Sequence, residues 1–542
     1  MNFKKQLFLL VLLITTLTSL SQTKPYVSNV WCADNGNGTY KNPVINADYS
    51  DPDAIRVGED YFLISSSFEH VPGLPILHSK DLVNWTIIDH VLKQQPPVDH
   101  FSAPRHGEGV WAPSIRYRNK EFYVYYPDPD FGIYVTKSKN IHGPWSEPLL
   151  VQAGRGLIDP CPLWDDDGNV YLVHAFAGSR AGFKSVLVVK KLNSSGTQVI
   201  DDGVLVYDGH ELDPTIEGPK FYKRNGFYYI FAPAGGVSTG WQLVLRSKNI
   251  YGQYERRVVM DQGHGTVNGP HQGAWVQTQT GEDWFLHFQD KDAYGRVVHL
   301  QPMRWVNDWP VIGVDKQGNG KGEPVMVYRK PNVGKRVSVT NPQESDEFNS
   351  SRLGLQWQWQ ANPKGGWTLP YPAKGVMRMN AQLFVDSMKN YWDVPSMLLQ
   401  KFPAHSFQAT VKFNFKSKLN EDKFALVVAG SDYAYISCKR VGDELKLTFA
   451  NCTNADKGNK ESEAILQTLS LGELFFRVIV HKGAVCEFSC STDGTSYQKC
   501  GEPFVAKPGR WTGAKVGFFC SRKSITNDAA YCDIDWFHIE KL

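Results

Sequence analysis

One phrase, written five times, constrains this chain more than any other feature. Its fullest copy runs Thr215-Ile216-Glu217-Gly218-Pro219-Lys220-Phe221-Tyr222, turns at Lys223-Arg224-Asn225-Gly226, and returns as Phe227-Tyr228-Tyr229. Each copy has a head residue, an aromatic strand, a short polar turn and a second aromatic strand. The other copies start at Asp51-Pro52, Ala112-Pro113, Asp159-Pro160 and, more faintly, Gln272-Gly273. The heads recur every 47 to 61 residues. Periods near ~50 residues that hold several short strands read as propeller blades. The first strand of each blade lines the central axis, so equivalent positions in successive blades face one another. Asp51, Asp159 and Glu217 are therefore expected to converge on one axial pocket.

At 542 residues the chain is too long for one ordinary core, and two domains are expected. Between Asp51 and Val327 the strands are short and broken by Gly, Asn, Asp and Pro. Three related phrases, Ser79-Lys80-Asp81, Ser138-Lys139-Asn140 and Ser247-Lys248-Asn249, read as structural turns between strands. The aromatic repeat stops at a polar linker around residues 328–335. Beyond Glu344 the strands lengthen and alternate, as in a β-sandwich. The expected architecture is all-β: a five-bladed propeller over residues 23–335, then a jelly-roll or concanavalin-like sandwich over 336–542.

Lys4 and Lys5 precede an apolar run over residues 7–17, with Ser19-Leu20-Ser21 after it. Residues 1–22 read as a secretory signal peptide, too short to span a membrane as a mature helix. Residue 22 is Gln and not Cys, which argues against a lipid anchor. The expected product is exported, periplasmic or secreted, with no membrane insertion. A net charge of +3 without a basic run gives nucleic acid no footprint.

Seven of the nine cysteines fall after residue 437. Cys486 and Cys490 would sit ~13 Å apart on one strand and cannot pair with each other. The turn Ser491-Thr492-Asp493-Gly494 would bring Cys500 opposite Cys486, the one disulfide expected; buried free thiols are the alternative. No CxxC pair accompanies them, which disfavours zinc. Asp165, Asp166 and Asp167 fall in a hairpin turn and read as a solvated loop, so no metal site is expected.

Two carboxylates across a pocket, with a third to tune them, are what glycosidic bond cleavage requires. One protonates the departing oxygen and the other takes a proton from water. Burial and a like-charged neighbour are expected to raise the pKa of Glu217 into the range of a general acid. Asp-Pro and Glu-Gly-Pro also open turns, and a single case would carry no chemistry. Three at repeat positions favour function.

The chain resembles the family 43 glycoside hydrolases of the five-bladed propeller clan. Asn42-Pro43-Val44-Ile45 leading to Tyr49-Ser50-Asp51-Pro52-Asp53 resembles the family's general-base motif. Gly109-Val110-Trp111-Ala112-Pro113 is similar to its pocket-wall motif, Ile158-Asp159-Pro160 to the segment that tunes the acid, and Ile216-Glu217-Gly218-Pro219 to the general-acid segment. The resemblance covers about residues 40–330, and the remainder is similar to the sandwich of β-xylosidases and arabinofuranosidases. Cys161 departs from the pattern and is expected to alter packing more than charge.

The resemblance implies Asp51 as base, Glu217 as acid and Asp159 as pKa modulator. It makes Arg296 the arginine that binds sugar hydroxyls, Trp111 and Phe68 apolar walls, and His271 an axial histidine holding water or an ion. No cofactor is implied beyond an axial calcium or sodium near His271. The implied activity is exo-acting, inverting release of terminal α-L-arabinofuranosyl units from a plant cell-wall hemicellulose such as xyloglucan or arabinoxylan. A β-D-xylosidase or dual enzyme is the alternative. A non-catalytic glycan-binding protein on the same scaffold is the competing class, and it has no reason to keep three carboxylates.

Overall fold

The computed structural model describes residues 25–525 and 530–542, so the segment read as a signal peptide lies outside the described residues. The described chain is almost wholly β. Five four-stranded antiparallel sheets follow in order, over residues 53–92, 114–153, 157–208, 220–260 and 271–312. Each is built from consecutive strands, and each expected strand–turn–strand phrase forms the innermost pair of its sheet. The aromatic side chains that mark the phrases pack between blades. Tyr61, Leu63 and Trp85 of blade one meet Trp284 and Leu286 of blade five, and Phe221 and Ile230 of blade four meet Tyr171 and Val173 of blade three. Burying each such side chain stabilises the fold by roughly 1.5–3 kcal/mol.

The Ser-Lys-Asx phrases are turns, as expected. Ser79 Oγ accepts from the backbone N–H groups of Asp81 and Leu82 at 3.1 and 2.9 Å, and Asp81 Oδ1 accepts from Val83 and Asn84. Ser138 with Asn140 and Ser247 with Asn249 repeat the arrangement. The ring is closed by the lead-in. Thr39–Lys41 pairs with Val327–Arg329, and the Asn42 side chain bonds both backbone groups of Leu300 at 2.8 Å. The segment read as linker therefore begins as a closing strand.

The C-terminal region is a sandwich of an eight- and a seven-stranded sheet around one apolar core. It is joined to the propeller at many points. Val71 and Trp359 exchange two backbone hydrogen bonds at 3.0 and 2.6 Å. Tyr294 Oη of blade five donates to the carbonyl of His405 at 2.9 Å and accepts from the N–H of Ala484 at 2.8 Å.

Two expectations fail on local register. All nine cysteines are free thiols, and Cys486 lies opposite Phe504 while Cys500 lies opposite Phe488. The first strand ends at Ser491 and the next begins at Gln498, a longer turn than expected, so Cys500 pairs two residues away from Cys486 and the expected disulfide cannot close. The turn over Asp165, Asp166 and Asp167 is not simply solvated either. Asp165 is buried, bonded to the Lys223 ammonium and, at 2.6 Å, to Tyr228 Oη; it ties blade three to blade four.

Candidate active site

The backbone shows where the heads stand. Asp51 and Asp159 sit at φ of 55° and 58°, each just before a proline, Asp51 ahead of its innermost strand and Asp159 at the register shift within its own. The matching kink in blade four falls on Gly218, at 57°, and in blade five on Gln272, at 37°. Glu217 therefore stands one residue before the position held by Asp51 and Asp159, in contrast to the expected equivalence. His271 takes the corresponding place in blade five. A Cβ on Gly218 would come within 2.6 Å of Gln272 Cγ, so glycine is required there by both space and φ.

This offset pairs Glu217 with His271. His271 Nε2 lies 2.7 Å from Glu217 Oε1, and the imidazole is fully buried. Its buried Nδ1 has no hydrogen-bond partner among the described residues. Asp159 Oδ2 accepts from the Gly218 N–H at 2.7 Å, holding the peptide next to Glu217. The Asp51 oxygens face Ser66 Oγ at 2.5 Å, Ser50 Oγ at 2.9 Å and Arg296 Nη1 at 3.1 Å. The three carboxylates thus reach one axis, with Arg296 beside Asp51.

Exposure separates their uses. The Glu217 side chain is 31% exposed, open to a ligand, whereas Asp159 is 1% exposed and sealed behind it. Burial, then the nearby charges of Glu217 and Asp51, push Asp159 well above the usual carboxylate range. Burial acts upward on Glu217 too, but the His271 hydrogen bond and charge, with Arg296 and Lys184, bring it net below its ordinary value. The expected upward shift of Glu217 is thus reversed in the resting site. Within the pair the two shifts run in opposite directions, Asp159 upward and Glu217 downward.

The walls are aromatic. Phe68 is buried at φ 51° and meets Trp111 edge-on at 6.4 Å. Gly109, at φ 82°, lets Phe68 pass, since a Cβ there would stand 2.4 Å from the Phe68 carbonyl oxygen. Trp111 donates from Nε1 to the Gly107 carbonyl at 3.1 Å and carries the Arg180 guanidinium 5.4 Å from its ring centre. The opposite rim belongs to the sandwich. Trp511 meets Trp111 at 6.0 Å, and a cavity of about 420 Å³ lies between Arg296, Asp290 and Val237 on one side and Gly509, Trp511 and Thr512 on the other.

The sequence profile named "Glycosyl hydrolases family 43" matches residues 40–310, which hold all three carboxylates, His271 and Arg296. The chain belongs to glycosyl hydrolases family 43. The profile "Beta xylosidase C-terminal Concanavalin A-like domain" matches residues 345–540 of the sandwich. A "Putative beta-xylosidase" of Xylanibacter ruminicola is 39% identical over 89% of this chain and 86% of its own. The "Non-reducing end alpha-L-arabinofuranosidase BoGH43B" of Bacteroides ovatus is 28% identical over 93% of this chain and 95% of its own. The crystal structure of the GH43 BlXynB protein from Bacillus licheniformis superposes with a TM-score of 0.78 at 25% identity, covering 93% of this chain and all of that one.

Several residues of this family 43 site escaped the sequence reading. Lys220, fully buried below the carboxylates, donates to the Pro113 carbonyl at 2.7 Å and Ser114 Oγ at 3.0 Å. Asp53 anchors Arg116 at 2.7 Å. Cys161 is more than packing, because its sulfur accepts from Arg116 Nη2 at 2.7 Å and from the Phe221 N–H at 3.1 Å. Asp53 and Lys220 each stand two residues after the left-handed position of their blade, Asp51 and Gly218; Ser66 and Trp511 carried no such mark. Among the described residues no three His, Cys, Asp or Glu side chains gather as a metal site, and no helix is long and apolar enough to cross a membrane.

Proposed function

We propose that this family 43 glycosidase removes terminal β-D-xylosyl units from xylan-type plant oligosaccharides, working from the chain end with inversion. The observation that carries the chemistry is the unequal exposure of Glu217 and Asp159 beside an anchored Asp51. Glu217 alone of the acid pair reaches a ligand. A sugar in the pocket strips water from Glu217 and raises its affinity for a proton. Glu217 then gives that proton to the departing glycosidic oxygen. Asp51 takes a proton from the water that attacks the anomeric carbon, the C–O bond breaks, and Asp159 stabilises the peptide behind the acid. Arg296, next to Asp51, is placed to hold hydroxyls of the terminal sugar. The sandwich loop with Trp511 walls one side of the cavity beside Arg296, and a walled pocket favours exo action.

The choice of xylose rests on the 39% identical relative and its name. A second reading, terminal α-L-arabinofuranosidase activity in the same pocket, is favoured by the 28% identical relative so named. We assign the free face of His271 to water, because a lone imidazole nitrogen is a poor first ligand for a hard cation such as calcium or sodium. Export to the periplasm or medium is part of the same proposal and rests on the N-terminal apolar run. Time courses on xylobiose, arabinoxylan oligosaccharides and nitrophenyl pentosides test it. Early internal oligosaccharides would refute exo action, and faster arabinose than xylose release would select the second reading.

A further inference from the structure

Three residues before Asp51, a carboxylate with no part in the proton steps lies at the seam between the domains. Asp48 is 5% exposed. Its Oδ1 accepts from the backbone N–H of Arg296 at 2.9 Å, and its Oδ2 accepts from the backbone N–H of Gly513 at 2.9 Å. Arg296 returns through its guanidinium to Ser50 and Asp51, at 2.8 and 3.1 Å. Asp48, Arg296 and Asp51 thus form a closed circuit of backbone and side chain. Gly513 belongs to the sandwich loop that carries Trp511 two residues earlier, in a left-handed turn at φ 65°.

The contact leaves no slack. A Cβ on Gly513 would stand 2.7 Å from the Gly295 nitrogen, and one on Gly295 would stand 2.5 Å from Asp48 Cγ. The next residue of the loop, Ala514, donates to the Ala293 carbonyl at 2.7 Å. Two lysines of the sandwich, half-buried Lys401 and buried Lys515, supply positive charge to Asp48. A buried carboxylate is retained only where such partners compensate it. Both oxygens of Asp48 are spent on backbone groups, one from each domain.

We propose that Asp48 is a positioning residue that couples the sandwich loop to the catalytic arginine, so that the Asp51–Arg296 pair and the Trp511 rim are set by one carboxylate. Loosening Asp48 then disturbs the terminal-sugar contact and the rim together, whereas Trp511→Ala disturbs the rim alone. The proposal rests on the family 43 active site but not on which pentose it prefers.

The test is a double-mutant cycle between Asp48→Ala and Trp511→Ala, read as kcat/KM on whichever pentoside disaccharide the wild type cleaves, with thermal unfolding of each variant. Asp48→Ala is expected to lower kcat/KM at least about tenfold, because two donors lose their acceptor. The Trp511→Ala loss should shrink about fivefold or more in the Asp48→Ala background, since the loop is already released. Asp48→Asn, equal in size and keeping one acceptor oxygen, should fall between wild type and alanine; it carries the cycle if the alanine variant does not fold. Losses that simply multiply, or an Asp48 variant with wild-type kcat/KM, would overturn the proposal. An inactive wild type on every pentoside would instead fail the functional reading.

Discussion

His271 Nε2 stands 2.7 Å from Glu217 Oε1, and each residue occupies the position just before the kink that opens its blade's innermost strand. The imidazole presses the carboxyl in the direction opposite to the one its burial would give. A general acid is active only while protonated, so rate falls as pH rises through its pKa. Removing His271 lifts that pKa. His271→Asn should therefore move the alkaline limb of kcat/KM to higher pH, with a lower plateau from looser placement of Glu217. A pH profile on a disaccharide checks it, and an unmoved or acid-shifted limb would remove His271 from this role.

A second prediction concerns stability. Asp128, at the end of a blade-two strand next to the pocket wall, is buried and leaves Oδ2 without a partner. Burial first, then the charges of Asp130 and Glu108, push its carboxyl up to about 8 from 3.8. Between those values the folded protein holds a proton that the unfolded chain has lost, so this group costs stability increasingly as pH rises through the window. Asp128→Asn cannot ionise and should raise the unfolding free energy by roughly 1–3 kcal/mol at pH 8 and by little at pH 4.5. Thermal unfolding at the two pH values decides it, an equal shift at both being the contrary result.

Much of this was legible in the sequence because propeller blades write their register in the chain. The Asp-Pro and Glu-Gly-Pro heads, the period-two aromatic strands and the Asn/Gly turns placed five sheets and three axial carboxylates. The one-residue offset of Glu217 was not legible, since it depends on Gly218 taking the left-handed conformation in place of an Asp. Asp48 could not be read either. Its partner Gly513 is 465 residues away, and nothing local distinguishes an Asp that meets two backbone N–H groups from one at a turn. The cysteine pairing failed because turn length sets the register, and the connection from Ser491 to Gln498 places Cys500 opposite Phe488.

The sandwich loop makes a third prediction. Trp511 closes the rim against Trp111, and the domains share backbone hydrogen bonds at Val71–Trp359 and Ala293–Ala514 and the side-chain bond from Asp48 to the Gly513 N–H. Trp511→Ala should raise KM for a disaccharide about tenfold while changing KM for a small aryl pentoside less, since large aromatic rim contacts act on the leaving sugar. A chain ending at Lys335 would expose the face that Trp359 and Tyr294 now join and should be poorly soluble or weakly active. An isolated propeller with full activity and unchanged melting would contradict this account of the sandwich.

The last prediction divides the labour of the three carboxylates, whose roles make different kinetic demands. A departing sugar is a poor leaving group and needs a proton, whereas an acidic phenol does not. Glu217→Ala should therefore lose hundreds-fold or more, in order of magnitude, on a disaccharide yet largely keep its rate on an acidic aryl pentoside. Asp51→Ala removes the group that activates water, and the loss should be similar on both substrates. Asp159→Asn should follow the acid variant rather than the base variant. Its carboxyl is sealed from the pocket and fixes the Gly218 peptide at 2.7 Å, so its loss acts through Glu217. Because water attacks directly, opposite the departing oxygen, the first sugar released should have inverted anomeric configuration. Proton NMR of the nascent product reads this before mutarotation blurs it. Retention would make Asp51 a nucleophile instead of a base, and equal losses on good and poor leaving groups would take the acid role from Glu217.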